Sequence, residues 1–516
     1  MNLTLFLLLA TVCPSLGWVV PREPKVFWNA NRHFSPSNRN RLPIPALQSQ
    51  NQVEGAQENL TEKEDPAAPP PTPALRELYP PSTAHTNGTL QVDSIHTLYY
   101  EVHGNPNKPG KSALFLHGGP GAGCTPTHAR FFNPDYYSTI VLFDQRGCGR
   151  STPRGQVHNN TIWHLIQDCE QLRHHILGND QVWDVVLGGS WGSTLAIAYA
   201  QEYPNSVKSM ILRGVCLLRP SEVDWLFTPQ GGAAQRNPAA WKAFAETVGI
   251  GPKQPEMTPQ TTRAIGPDVP FQNDASMTIG VKPVQRNPND MDVDRNVLHR
   301  YYDRMFGMNT QDRWTAARGW MTWEFTVSSS YRKQGANHSS PAVLVYEPTT
   351  RDWTYQDGFG NNLQPTDISR LSLTTSASEA SHQLRKVLPL SDRPPAHARP
   401  IGMSLEDFEK AKDEQYGNFS GLPAMPMLTC FYSVNDHYAM NGWNLIVAER
   451  MRRIRHIPCI AIQGGNDPIC PPDTALDLLH QWPELELRIP LMAGHSMYDP
   501  DITNELVRAT DQLASN

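Results

Sequence analysis

Apolar residues gather in short runs that end at glycine-rich turns, and these runs alternate with stretches of helical period. Leu98-Tyr-Tyr-Glu-Val102, Ser112-Ala-Leu-Phe-Leu116 and Thr139-Ile-Val-Leu-Phe143 read as strands. From Ile162, the residues Leu165, Ile166, Cys169, Leu172 and Ile176 recur at spacings of three and four, with Gly178 after the last turn. That pattern predicts an amphipathic helix laid against a sheet. Val185-Val-Leu187 and Met210-Ile-Leu212 flank a small-residue helix over Ser193–Ala200. Strand, helix, strand in this rhythm predicts a parallel sheet. The rhythm stops near Pro220, resumes at Cys459-Ile-Ala-Ile-Gln463, and closes as strand, helix, strand, helix by Leu513.

The interval is of two textures. Trp241 to Val248 and Arg295 to Ser328 are aromatic-rich and predict helices, whereas 252–294 and 332–421 are rich in Pro, Asn and Ser. The expected architecture is α/β: a doubly wound, mostly parallel sheet built from 75–219 and 456–516, with a helical cap carrying long insertions over 220–455.

Composition refines the ends of the chain. Ten of the 57 residues between Trp18 and Ala74 are Pro, so 18–74 reads as a linker, extended arm or propeptide. Before it, an apolar run from Leu3 to Val12 precedes Ser15 and Gly17, the pattern of a signal peptide over 1–17. Asn59, Asn87, Asn159, Asn337 and Asn418 head glycosylation sequons, in keeping with a secreted or vacuolar/lysosomal glycoprotein of the secretory pathway. Seven of eight Cys follow the leader, an odd number in a chain too large to need stapling, and most read as small buried residues. The net charge of −6 and the lack of a sustained basic run argue against nucleic acid or membrane-surface partners. No later apolar run is long enough for a membrane anchor.

Chemistry enters at Gly188-Gly-Ser190-Trp-Gly192, which follows a strand and opens a helix, the context of a nucleophile elbow. A serine hydroxyl is a weak nucleophile, so a base and an orienting carboxylate must follow in the order acid, then His. Asp467 in Gly464-Gly-Asn-Asp-Pro468 and His495 in Ala493-Gly-His-Ser496 both fall just after strands and supply them. His117-Gly-Gly-Pro-Gly121 follows another strand and frees backbone N–H groups. The N–H groups of Gly119 and Trp191 are the expected oxyanion donors. Neither a nucleotide loop nor a metal-ligand motif occurs at these turns, so no cofactor and no metal are expected.

Leu75-Arg-Glu-Leu-Tyr-Pro-Pro81, His117-Gly-Gly-Pro-Gly121, Asp144-Gln-Arg-Gly-Cys-Gly-Arg-Ser151, Gly188–Ala196 and Leu212-Arg-Gly214 together resemble the proline iminopeptidases, serine peptidases of the α/β-hydrolase fold. The resemblance implies release of N-terminal Pro from peptides, with Ser190 as nucleophile, Asp467 as orienter and His495 as base. Trp320-Met-Thr-Trp-Glu324 is similar to the family's cap segment, whose Glu binds the substrate's free amine, which assigns that part to Glu324. Trp225, Trp320 and Trp323 are expected as apolar walls for the pyrrolidine ring. Where the family carries a second acid this chain has Asn435, which implies either weaker amine recognition or transfer of that role to the adjacent Asp436. An esterase or amidase with another substrate, and a non-catalytic glycoprotein on the same fold, are the competing readings.

Overall fold

The computed structural model describes residues 75–250, 296–307, 309–328, 342–363, 424–435 and 444–515. The leader at 1–17, the Pro-rich stretch 18–74, the insertion 252–294, most of 332–421 and Asp436 lie outside them, as do Asn59, Asn337 and Asn418.

Ten strands form one sheet. In chain order they are β1 (Thr86–Gln91), β2 (Thr97–His103), β3 (Lys111–Leu116), β4 (Tyr137–Asp144), β5 (Val185–Gly189), β6 (Met210–Arg213), β7 (Val343–Glu347), β8 (Asp352–Gln356), β9 (Cys459–Ile462) and β10 (Glu486–Pro490). Their spatial order is β1-β2-β4-β3-β5-β6-β9-β10-β7-β8. The six from β4 to β10 pair in parallel, while β1 and β2 at one edge and β7 and β8 at the other pair antiparallel. The central runs are largely apolar because both faces are covered. Leu114, Leu116, Val186 and Leu212 join one apolar cluster, and Ala113, Phe115, Val185, Leu187 and Ile211 join the other.

Helices α1 (Ile162–Leu177) and α2 (Trp191–Glu202) cover the first face through Leu165 and Leu195. The C-terminal helix Pro500–Ser515 covers the second through Ile502 and Leu506. Helix α2 starts at Trp191, two residues earlier than its small-residue run suggests, so Ser190 sits at its N-cap.

The cap comprises α3 (Pro220–Phe227), α4 (Gly232–Arg236), α5 (Pro238–Thr247), α6 (Asn296–Phe306), α7 (Thr310–Ser328) and α8 (Ala424–Asn435). An aromatic cluster unites it. Phe244 stacks on Tyr301 at 4.3 Å between centroids, and Phe227 stacks on Trp320 at 4.7 Å.

One segment departs from the expected division. The hairpin of β7 and β8 falls within the span assigned to the cap, yet β7 pairs with β10 and completes the central sheet. The reason is local: Val343, Leu344 and Val345 are buried, and without them β10 would present an open edge. The stretch at 444–455 also belongs to the core, where Leu445, Met451 and Ile454 are buried and Gln201 Nε2 donates to the Leu445 carbonyl. All seven described cysteines are free thiols, six of them buried.

Candidate active site

The loops that follow β3, β5, β9 and β10 meet at the C-terminal edge of the parallel strands, where the ends of neighbouring strands leave an open crevice. Ser190 sits on the turn from β5 to α2 with φ 56° and ψ −124°, a conformation that L residues adopt only under local compulsion. Close packing supplies the compulsion. A Cβ on Gly188 would lie 2.1 Å from the Gly192 carbonyl oxygen, and one on Gly192 would lie 2.0 Å from that of Leu116. Only glycine fits either place, and the serine between them is thrust out of the turn.

His495 Nε2 stands 3.2 Å from Ser190 Oγ, and His495 Nδ1 stands 2.8 Å from Asp467 Oδ2. The carboxylate of Asp467 is itself pinned. Its Oδ1 accepts from the N–H groups of Ile469 and Cys470, each at 2.9 Å, and its Oδ2 accepts from Gln463 Nε2 at 3.3 Å. With every lone-pair direction of Asp467 engaged, the imidazole has one orientation that keeps both contacts.

The loop after β3 packs directly on the nucleophile. A Cβ on Gly118 would lie 3.2 Å from Ser190 Cβ, and Gly118, Gly119 and Trp191 all line the cavity above Ser190. Trp191 is the first residue of α2, so its N–H has no acceptor inside the helix. The Asp144–Ser151 block explains why this loop holds its shape. Asp144 accepts from the Cys124 N–H at 2.6 Å and from Arg150 N and Nε at 2.8 Å. Gln145 accepts from Trp191 Nε1 at 3.0 Å and donates to the His117 carbonyl at 2.9 Å.

The cap closes the cavity with Leu226, Phe227, Met321, Trp323, Glu324 and Phe325 among its lining. Trp320 Nε1 donates to Glu324 Oε1 at 2.8 Å, whereas Glu324 Oε2 is buried without a partner among the described residues. Burial pushes this carboxyl up to about 8, with the Trp320 hydrogen bond pulling the other way. The pocket thus holds a carboxyl that keeps its proton to higher pH than it would in water.

Two expected walls are elsewhere. Trp225 does not line the cavity: its Nε1 donates to the Pro468 carbonyl at 2.9 Å and Arg236 lies over its ring, so it fastens the cap to the loop bearing Asp467. Trp320 is fully buried against Phe227 and reaches the site only through Glu324. Trp323 lines the cavity as expected. Three residues have roles that the sequence did not announce: Gln463, and, within motifs already singled out, Gly118 and Arg213, whose guanidinium donates to the His495 carbonyl. Among the described residues no group of three or more His, Cys, Asp or Glu side chains is placed to hold a metal ion. No described helix is long and apolar enough to cross a membrane.

The strand order, the elbow and the Ser-His-Asp geometry define a serine hydrolase of the α/β-hydrolase fold, and a family described as alpha/beta hydrolase fold matches residues 114–249. A proline iminopeptidase of Arabidopsis thaliana is 30% identical over 485 residues, covering 93% of this chain and 94% of that protein. A probable proline iminopeptidase of Leptolyngbya boryana is 30% identical over 86% of this chain and 98% of its own. The proline iminopeptidase of Neisseria gonorrhoeae is 30% identical over 83% and 96%. This chain belongs to the proline iminopeptidase family.

Proposed function

We propose that the protein is a serine aminopeptidase that releases N-terminal Pro from peptides through an acyl-enzyme. The observation that carries this reading is Glu324. A carboxyl with one buried, unpartnered oxygen in the wall above the nucleophile suits a free secondary ammonium, which must exchange its hydration for a charge partner on entering the pocket. Family membership supports the same substrate class.

In the proposed reaction Ser190 Oγ attacks the prolyl carbonyl as His495 Nε2 takes the hydroxyl proton, and Asp467 steadies the imidazolium. The N–H groups of Trp191 and Gly119 hold the oxyanion, with Trp323 against the pyrrolidine ring. When the tetrahedral intermediate collapses, the C–N bond breaks and His495 gives its proton to the leaving amine. Water then attacks the prolyl ester with His495 as base, releasing proline and restoring Ser190.

Purified protein and Ser190→Ala are tested on a chromogenic prolyl amide with a free N-terminus, its N-acylated counterpart and a simple acyl ester. The reading expects cleavage of the free prolyl amide alone by the wild type and none by the variant. Ester cleavage without prolyl amide cleavage would transfer the triad to an esterase. Passage through the secretory pathway is part of the proposal. Its support is the leader-like pattern at 1–17 and the Asn87 sequon, whose side chain is exposed on the edge strand β1. N-terminal sequencing of protein recovered from producing cells checks it, and an intact Met1 would oppose it.

A further inference from the structure

Arg213 ends β6 and lies beneath the catalytic pair, touching both halves of it. Its backbone carbonyl accepts the Ser190 N–H at 2.7 Å. Its Nη1 donates to the His495 carbonyl at 2.9 Å and stands 3.4 Å from His495 Nε2. The side chain is buried, no carboxylate lies within ion-pair distance of it among the described residues, and its Nε has no partner there. Burial pushes its pKa down and the nearby Asp467 carboxylate opposes that, but a guanidinium remains charged throughout the working range. A buried cation without an ion-pair partner is destabilising, so its position calls for a reason beyond packing.

Room has been made for it. A Cβ on Gly189, the residue just before the nucleophile, would lie 2.6 Å from Arg213 Nη2, and the three nearest atoms to that Cβ all belong to Arg213. A guanidinium can only donate, so a contact to His495 Nε2 fits the tautomer in which that nitrogen is bare and the proton sits on Nδ1 toward Asp467. A proton on Nε2 would instead confront a fixed positive charge.

We infer that Arg213 is a positioning residue that holds His495 in its basic tautomer and sets a fixed positive charge beside Nε2. The same charge favours onward transfer of the proton that His495 collects from Ser190. The titratable groups around the pair are Asp467 and Cys470 from the loop after β9, Tyr498 from the loop after β10, His128 from the 3-10 turn at Pro126–Phe131, and Cys216, Glu222 and Glu324 in the same cavity lining. Asp467 lies on the Nδ1 side, and Glu222 is paired with Arg219. Nothing among them replaces the guanidinium.

The inference rests on the triad and not on the prolyl substrate, so the test avoids peptides. An alkyl fluorophosphonate phosphonylates Ser190: the Oγ–P bond forms, fluoride leaves and the hydroxyl proton passes to His495. The second-order rate is followed against pH for the wild type, Arg213→Gln and Arg213→Lys. Gln keeps a neutral donor without the charge, so the acid limb should move to higher pH by about one unit. Lys keeps the charge, so its limb should stay where it is in the wild type even if the plateau falls. An unmoved limb in folded Arg213→Gln overturns the inference. If Arg213→Gln does not fold, Gly189→Ala is read in its place, because the atoms nearest its methyl belong to the flexible guanidinium, which it displaces. A raised limb then supports the role, and a limb that stays where it is in the wild type overturns it, whatever the plateau does.

Discussion

Glu324 shows how one side chain ties recognition to stability. Its carboxyl titrates near the ordinary 4.5 when unfolded and is pushed up to about 8 by burial in the folded pocket. Between those values the unfolded chain has released a proton that the folded chain keeps. Stability from this group is therefore complete below about pH 4.5 and falls by about 1.4 kcal/mol per pH unit until pH 8, where the loss levels off. Glu324→Gln removes the penalty. The variant should melt above the wild type at pH 9 and within error of it at pH 4.5, read by thermal unfolding at both. An equal difference at the two pH values would mean that the carboxyl is solvated rather than desolvated. The same substitution should raise KM for free-amine prolyl substrates at least about tenfold and leave the fluorophosphonate rate nearly untouched, since the loss is of a charge-assisted contact remote from the dyad.

At the scale of the element, the nucleophile turn depends on distances between backbones. The 2.0 Å separation between a Cβ at position 192 and the Leu116 carbonyl means that Gly192→Ala must push β3 away from α2. The expected result is a loss of several kcal/mol and little soluble protein, measured against the wild type. Soluble, fully active Gly192→Ala would show that the turn is looser than its packing indicates. This is also why the triad was legible in the sequence. Ser190 and Asp467 each follow a short, uniformly apolar run, which a parallel strand buried on both faces needs, and His495 follows the strand-like Leu487-Arg-Ile-Pro490. Arg213 stands in the Leu212-Arg-Gly214 block that carries the resemblance, but its role was not legible because its partner His495 lies 282 residues away and nothing near Arg213 in the chain announces the contact. Trp225 was misplaced for a related reason: an aromatic residue on a short helix declares that it is buried without declaring which face it meets, and here its indole N–H reaches Pro468.

Across the whole molecule, a sheet with six parallel strands at its centre carries the chemistry and a cap of aromatic helices encloses it, while antiparallel strands guard both edges. The guard at the β10 edge was hidden in the sequence. Val343-Leu-Val-Tyr-Glu347 is five residues long and lies between polar stretches, so length and surroundings outweighed its apolar run. Its place beside β10 has a consequence for the active site, because β10 leads directly to the loop that bears His495. Leu344 enters the same apolar cluster as Leu487 and Ile489 of β10. Leu344→Ala should therefore lower stability by about 2–4 kcal/mol and the melting temperature by several degrees. Asp352→Ala, at the exposed start of β8, should be silent. If the hairpin were only surface decoration, both substitutions would be silent. A sheet edge that supports the base loop instead requires that activity of Leu344→Ala decay with the melting transition, at a temperature below that of the wild type, with kcat unchanged while the protein is still folded.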